Sequence, residues 1–132
     1  MSDLLHILAI DDDPTSSFLL KQFIELRTQR RLRFDAVTTV DEALEQLKHY
    51  QETQQFPQLI FVDIRLPTKN GFAFVKEYEE VYFGQHPSCT VYMLSSSMRD
   101  SDQDQSNRHP SVKGYVHKSN LDDQLEYILA GV

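Results

Sequence analysis

The chain has 132 residues, 40% hydrophobic and 25% charged, with a net charge of −7 and a pI of about 5.1. This is the size of one ordinary domain, expected to span residues 1–132, and the acidic balance argues against general attraction to nucleic acid or to an anionic membrane surface. The start MSDLLHILAI lacks the basic opening and cleavage site of a leader and no apolar stretch approaches the roughly 20 residues of a membrane helix, which, with Cys89 as the single cysteine, points to a soluble protein of the reducing cytoplasm.

Residues 5–10 are apolar at nearly every position, the pattern of a strand covered on both faces, and they run into Asp11-Asp12-Asp13. Pro14 suits the first position of a helix capped by Asp13, and Phe18, Leu19, Phe23, Ile24 and Leu26 give that helix a broad apolar face. Arg27, Arg30, Arg31 and Arg33 read as a solvated loop before a second strand over 32–38, with docking to an acidic partner surface as the alternative. Thr39-Val40-Asp41-Glu42 has the form of a capping box and opens a second helix with Ala43, Leu44, Leu47 and Tyr50 inward. A third strand over 58–62 ends in Asp63. After Gly71 a third helix carries Phe72, Phe74, Val75, Tyr78, Val81 and Tyr82. A fourth strand over 90–94, next to Cys89, ends in Ser95. The segment 96–111, SSMRDSDQDQSNRHPS, holds one sizeable apolar residue, Met98. A helix there has almost nothing to bury, so it is expected to be short, loosely packed or partly irregular. A fifth strand over 112–117 ends in Lys118, and a last helix starts at Ser119 or Asn120 with Leu121, Leu125, Ile128 and Leu129 inward.

Strands alternating with helices imply an α/β fold with a parallel sheet and right-handed crossovers. Ligands of such sheets bind beyond the carboxyl ends of the strands. The residues that end the strands, Asp11 to Asp13, Asp63, Ser95 and Lys118, should therefore gather on one edge. Carboxylates brought together repel and gain proton affinity unless a cation intervenes, and Mg²⁺ accepts one or two carboxylates with water and phosphate oxygens completing its shell. Asp12 and Asp63 can bind it directly, Asp11 through a water, and a backbone carbonyl at Arg65 can add another oxygen; Asp13 is assigned to helix capping. Asp63 follows an apolar strand in LIFVDIRLP, and a carboxylate so placed can act as the nucleophile that forms an aspartyl phosphate. Phosphoryl transfer is mostly positioning and charge neutralisation, for which the metal, the Lys118 ammonium and the Ser95 hydroxyl are groups of the right kinds.

The motifs ILAIDDDP, LIFVDIRLPTKNG, VYMLSSS and GYVHKS, in this order and at these intervals, resemble the receiver domain of two-component response regulators, as in the chemotaxis regulators. The resemblance covers residues 6–128. It implies a flavodoxin-like (βα)5 three-layer sandwich with sheet order 2-1-3-4-5, a stand-alone receiver or relay intermediate, and a histidine kinase or phosphotransfer protein as donor. Asp63 matches the phosphorylated aspartate, Asp11 and Asp12 the acidic pair that holds Mg²⁺, and Lys118 the phosphate-binding lysine. Ser95 and Tyr115 match the hydroxyl and the aromatic that switch together on phosphorylation; Pro67 and Gly71 match the loop walling the site. The family carries a proline, often cis, after the lysine. Here Ser119 stands there, so a cis bond is not expected and Ser119 is instead given the role of capping the last helix. Arg65, long and cationic, is expected to lie over the phosphoryl group and slow attack by water. The downstream protein partner is not identified; a monomer or weak homodimer is expected, with no catalytic turnover beyond self-phosphorylation and slow self-dephosphorylation.

Three rival readings compete with this one. An interaction module of the same fold that is never phosphorylated is the main alternative, although no member of the acid, hydroxyl and lysine set is missing. A magnesium phosphatase would place a second acid two residues after the nucleophile, where Arg65 stands and cannot donate a proton. A flavin carrier would need donors, not three aspartates, after the first strand. Zinc is not expected, because His6, His49, His86, His109 and His117 show no paired ligand spacing.

Overall fold

The structure is a computed structural model and describes residues 3–96 and 100–132. Strands β1 (Leu4–Ile10), β2 (Arg31–Val37), β3 (Leu59–Asp63), β4 (Thr90–Ser95) and β5 (Val112–His117) alternate with helices α1 (Pro14–Arg27), α2 (Val40–Thr53), α3 (Gly71–Val81), α4 (Asp100–Asn107) and α5 (Leu121–Ala130). All pairings are parallel, in the order β2-β1-β3-β4-β5. Both the five-fold alternation and the strand order agree with the sequence reading.

The period of two along each strand divides the core. Leu8 and Ile10 of β1, Ile60 and Val62 of β3, and Val91 and Met93 of β4 face α2 and α3 in one apolar cluster. Leu5, Ile7 and Ala9 of β1, Leu59 and Phe61 of β3, and Leu94 of β4 face α1 and α5 in the other. Cys89 is buried in the first cluster, as a small hydrophobe would be.

The helix starts follow the local chemistry. Asp13 caps α1 by accepting from the Thr15 N–H at 3.0 Å. Thr39 caps α2 by accepting from the Glu42 N–H at 3.1 Å; the Glu42 carboxylate turns to the Thr38 and Thr39 hydroxyls instead of closing the box on backbone. Asn70 caps α3 through the N–H groups of Phe72 and Ala73. Ser119 does not cap α5. It lies in a one-turn 3₁₀ helix, Lys118–Asn120, where its N–H and hydroxyl both meet the His117 Nδ1, and Asn120 occupies the cap position. The short turn takes the place of the cap because it carries the chain directly from β5 into α5.

Two faces differ from expectation. Helix α1 buries Ser17, Leu20 and Ile24, while Phe18, Leu19 and Leu26 are exposed; positions 17, 20 and 24 form the stripe that meets the sheet, and the other apolar residues exceed what one stripe can hold. On α3 Val81 is likewise exposed. The arginines are not a solvated loop. Arg31 and Arg33 sit in β2 itself, Arg31 pairs with Asp3, Arg33 with Asp35, and Arg27 with Asp122. Arg30 donates to the carbonyls of Asp3, Leu4 and Val132 and so ties both ends of the chain together.

Helix α4 is regular over eight residues, so the expectation of a short element holds and that of irregular backbone does not over this stretch. Met98 lies outside the described residues.

Candidate functional site

In-register parallel strands bring their tips side by side. Ile10 pairs with Val62, so Asp11 and Asp63 leave adjacent strands as neighbours. Asp63 pairs with Leu94, one residue before Ser95, and Ser95 pairs with His117, one residue before Lys118. Adjacent strands lie about 4.8 Å apart, and the long lysine side chain spans the remaining gap. The Lys118 ammonium donates to Asp11 Oδ2 at 2.7 Å and to Asp63 Oδ2 at 2.8 Å. Asp11, Asp63 and Ser95 are buried and Asp12 is exposed.

The remaining oxygens are fixed by main chain. Asp11 Oδ1 accepts from the Asp13 N–H at 3.0 Å, and Asp63 Oδ1 accepts from the Arg65 N–H at 2.9 Å. Gly71 closes the loop behind Asp63: its N–H donates to the Ile64 carbonyl, and a Cβ in its place would come within 2.3 Å of the Asp63 carbonyl oxygen. Any side chain here would push the loop off the site, which accounts for glycine at this position. Pro67 and Thr68, the latter at φ 62°, turn the chain between Asp63 and Asn70.

The electrostatics are unbalanced. Burial raises the proton affinity of Asp63, hydrogen bonds from Lys118 and from the Arg65 N–H pull it down, and the Asp11 charge pushes it up again; the net direction is upward. Burial likewise opposes the Lys118 charge, but the hydrogen bonds to Asp11 and Asp63 outweigh it, and the ammonium is held above the ordinary lysine value. One ammonium thus serves two buried carboxylates, with a third beside them. One carboxylate oxygen each from Asp11, Asp12 and Asp63 lie within 4.8 Å of one another. Octahedral magnesium with oxygens at about 2.1 Å places cis ligands about 3 Å and trans ligands about 4.2 Å apart, so the trio fits a hard divalent ion.

Tyr115 is half-buried on β5 against the α2–α3 core, and its hydroxyl is shut from solvent with no hydrogen-bond partner among the described residues. The Arg65 guanidinium, expected over the phosphoryl group, meets helix α4 in this unphosphorylated structure, where Nη2 meets Asp102 Oδ2 and Nη1 meets Asp102 Oδ1 at 3.4 Å. Asp102 went unnoticed in the sequence, since a carboxylate inside DSDQDQSN looks like ordinary surface; the arginine two residues after Asp63 was the available signal.

Residues 7–130 match the family model for the response regulator receiver domain. The chain is a response regulator receiver. No curated protein matches it in sequence. Among solved structures, the receiver resembles a two-component response regulator from Cytophaga hutchinsonii at 23% identity and TM-score 0.81, covering 98% of this chain and 99% of that one. It also resembles the Mn²⁺-bound form of response regulator Rcp1, at 20% identity and TM-score 0.78, covering 96% of this chain and 92% of that one. The phosphorylated cyanobacterial phytochrome response regulator RcpA aligns at 23% identity and TM-score 0.77, covering 96% and 89%. Receivers are regulatory domains of two-component signalling, and no helix among the described residues of this one is long and apolar enough to cross a membrane.

Proposed function

We propose that this receiver accepts a phosphoryl group on Asp63 from the phosphohistidine of a histidine kinase or phosphotransfer protein, in a magnesium-dependent step in the cytoplasm. The observation that carries the reading is the Lys118 ammonium held at 2.7 and 2.8 Å between two buried carboxylates, with a third carboxylate alongside. This is a site with a cation in place, a nucleophile oriented by a backbone N–H, and surplus negative charge suited to a metal.

An Asp63 carboxylate oxygen attacks phosphorus. The new O–P bond forms as the donor's N–P bond breaks, and the electron pair stays on the imidazole nitrogen. The Arg65 N–H bond to Oδ1 fixes the carboxylate while Oδ2 faces Lys118. Lys118 then meets developing charge on the transferred group. Asp11, Asp12, Asp63 and the Arg65 carbonyl would hold Mg²⁺, which supplies positive charge to the phosphoryl oxygens. Ser95 contributes a hydroxyl to the phosphoryl group, and Tyr115 follows it inward or outward. The output is a changed surface that a partner must bind unequally in the two states. That Rcp1 was solved with Mn²⁺ and RcpA phosphorylated supports the same reading here.

Intact mass after incubation with acetyl phosphate and Mg²⁺ tests it. One added phosphoryl group is expected, absent in Asp63→Asn and without Mg²⁺. An unchanged mass would leave a non-phosphorylated interaction module of the same fold.

A further inference from the structure

We propose that the Arg65–Asp102 ion pair is a latch that holds helix α4 against the body of the protein, and that phosphorylation of Asp63 opens it. The proposal rests on the phosphoacceptor reading above and assigns that site a mechanical output.

Helix α4 has an unusual means of attachment. Its sequence, DSDQDQSN, contains no apolar residue, so hydrophobic burial of its own side chains does not hold it. The described residues it turns inward are one turn apart, Asp102 at 7% and Ser106 at 3% exposure. Ser106 donates to the Asp102 carbonyl and thus binds only its own helix. Among the described residues, the side-chain link from α4 to the rest of the molecule is the two-pronged contact of Asp102 with Arg65. The chain after α4 is anchored separately: Glu79 of α3 pairs with His109 Nδ1 at 2.9 Å and accepts from the Ser111 N–H at 2.8 Å, and the His109 ring stacks on Phe72. This fixed end acts as the hinge side, and Asp102, in the first turn of α4, is the residue that Arg65 holds.

The other end of the latch is at the phosphoacceptor. Arg65 lies two residues from Asp63 and its N–H already bonds Asp63 Oδ1. A phosphoryl group added there puts close to two negative charges and three strong acceptors where the carboxylate carried one charge. A planar guanidinium binds phosphate through two parallel hydrogen bonds and is mobile enough on its exposed stem to exchange partners. Asp102 then remains buried without its cation, an arrangement more costly than leaving it in water. The helix relieves that cost by lifting and letting Asp102 hydrate. The same exchange reconciles the arginine's present position with a place over the phosphoryl group: the latch is the unphosphorylated state.

Hydrogen exchange of the α4 amides in the full chain reads the latch, with intact mass reporting phosphoryl occupancy from acetyl phosphate and Mg²⁺. In the unphosphorylated protein Arg65→Gln and Asp102→Asn are each expected to speed α4 exchange on the order of tenfold, a buried pair discounted for the exposure of its arginine, while amides of β1 and β3 stay as they were. The charge-reversed pair Arg65→Asp with Asp102→Arg restores α4 protection, which a simple packing defect at either position would not do. Phosphorylated wild type is expected to match Asp102→Asn, and phosphorylating Asp102→Asn should add nothing. A phosphoryl mass gain with α4 protection unchanged overturns the latch and leaves the phosphoacceptor reading standing. Full α4 protection in Arg65→Gln also overturns it. Failure to gain the phosphoryl mass overturns both.

Discussion

Asp63 and Asp35 are two carboxylates of one sheet whose proton affinity burial raises in both cases, and whose partners decide opposite outcomes. Asp35, on β2, gathers three donors on a single oxygen: the Tyr50 hydroxyl at 2.5 Å, the His6 Nε2 at 3.1 Å and the Arg33 Nε at 3.1 Å. Burial raises its proton affinity, but those bonds outweigh it and the net direction is down. Asp63 has its own donors, yet a second carboxylate stands beside it and the net direction is up. Exposure sharpens the contrast: the Asp35 side chain is 28% accessible and the Asp63 side chain 7%. One cluster is complete as it stands. The other is left with excess charge in a buried place, which a fold tolerates where it serves a ligand or a reaction.

The comparison breaks most sharply on removing each acid. Asp63→Asn should abolish phosphoryl uptake altogether by intact mass, with the fold retained by circular dichroism, because the substitution relieves crowding. Asp35→Asn should take up phosphate as wild type does. Lys118→Ala is expected to slow uptake about a hundredfold, the usual loss on deleting one preorganised charge-stabilising donor; a rate within a few-fold of wild type would remove Lys118 from the chemistry.

Stability should sort the two clusters the opposite way. Asp35→Ala leaves the Tyr50 hydroxyl, His6 and Arg33 without their shared acceptor and should cost about 2 kcal/mol in urea unfolding, the scale of a buried donor left unsatisfied. The Asp63 cluster should instead gain from a cation. Mg²⁺ at ten times its dissociation constant should stabilise the protein by about 1.4 kcal/mol, reversibly with a chelator, and Asp12→Asn should weaken the effect. A magnesium-independent melting temperature would count against the metal site.

The strand tips could be read in advance because apolar runs end abruptly in charged or hydroxyl residues: Ile10 gives way to Asp11, Val62 to Asp63 and Leu94 to Ser95, while Lys118 follows the more mixed fifth strand. Period and parallel register then leave little freedom, so the Asp11–Asp63–Lys118 contact followed from the strand order. What could not be read depends on pairs far apart in sequence. Arg65 and Asp102 are 37 residues apart, and His6 and Asp35 are 29 apart; each residue has many exposed alternatives that the sequence does not rank. The face of α1 was misread for a different reason. Phe18, Leu19 and Leu26 equal in number the apolar residues that reach the core, Leu20, Phe23 and Ile24, while Ser17 is buried among the latter, so hydrophobicity alone placed Phe23 and Ile24 but not the rest of the stripe.

The smallest expected effect concerns His6, and it tests whether the Asp35 cluster is as complete as its hydrogen bonds suggest. Burial lowers the proton affinity of His6, and its bond to Asp35 only partly restores it, so the folded value lies below the ordinary 6.5. The unfolded chain therefore binds more protons than the folded one once pH drops toward 6.5, and stability falls on further acidification until the folded His6 also titrates. One such proton contributes at most about 1.4 kcal/mol per pH unit, so the loss between pH 6.5 and 5.5 stays below that limit. Asp35 adds to the loss only at lower pH: its depressed value means that its contribution is present above the ordinary carboxylate range and disappears as pH falls through the folded value. In His6→Gln, which keeps a hydrogen-bonding group but cannot titrate, urea midpoints should lose the part of the slope that lies between pH 6.5 and 5.5 and keep the part at lower pH. If the variant retained the full slope, the acid sensitivity would belong to another group and His6 would be fully balanced by Asp35 in both protonation states.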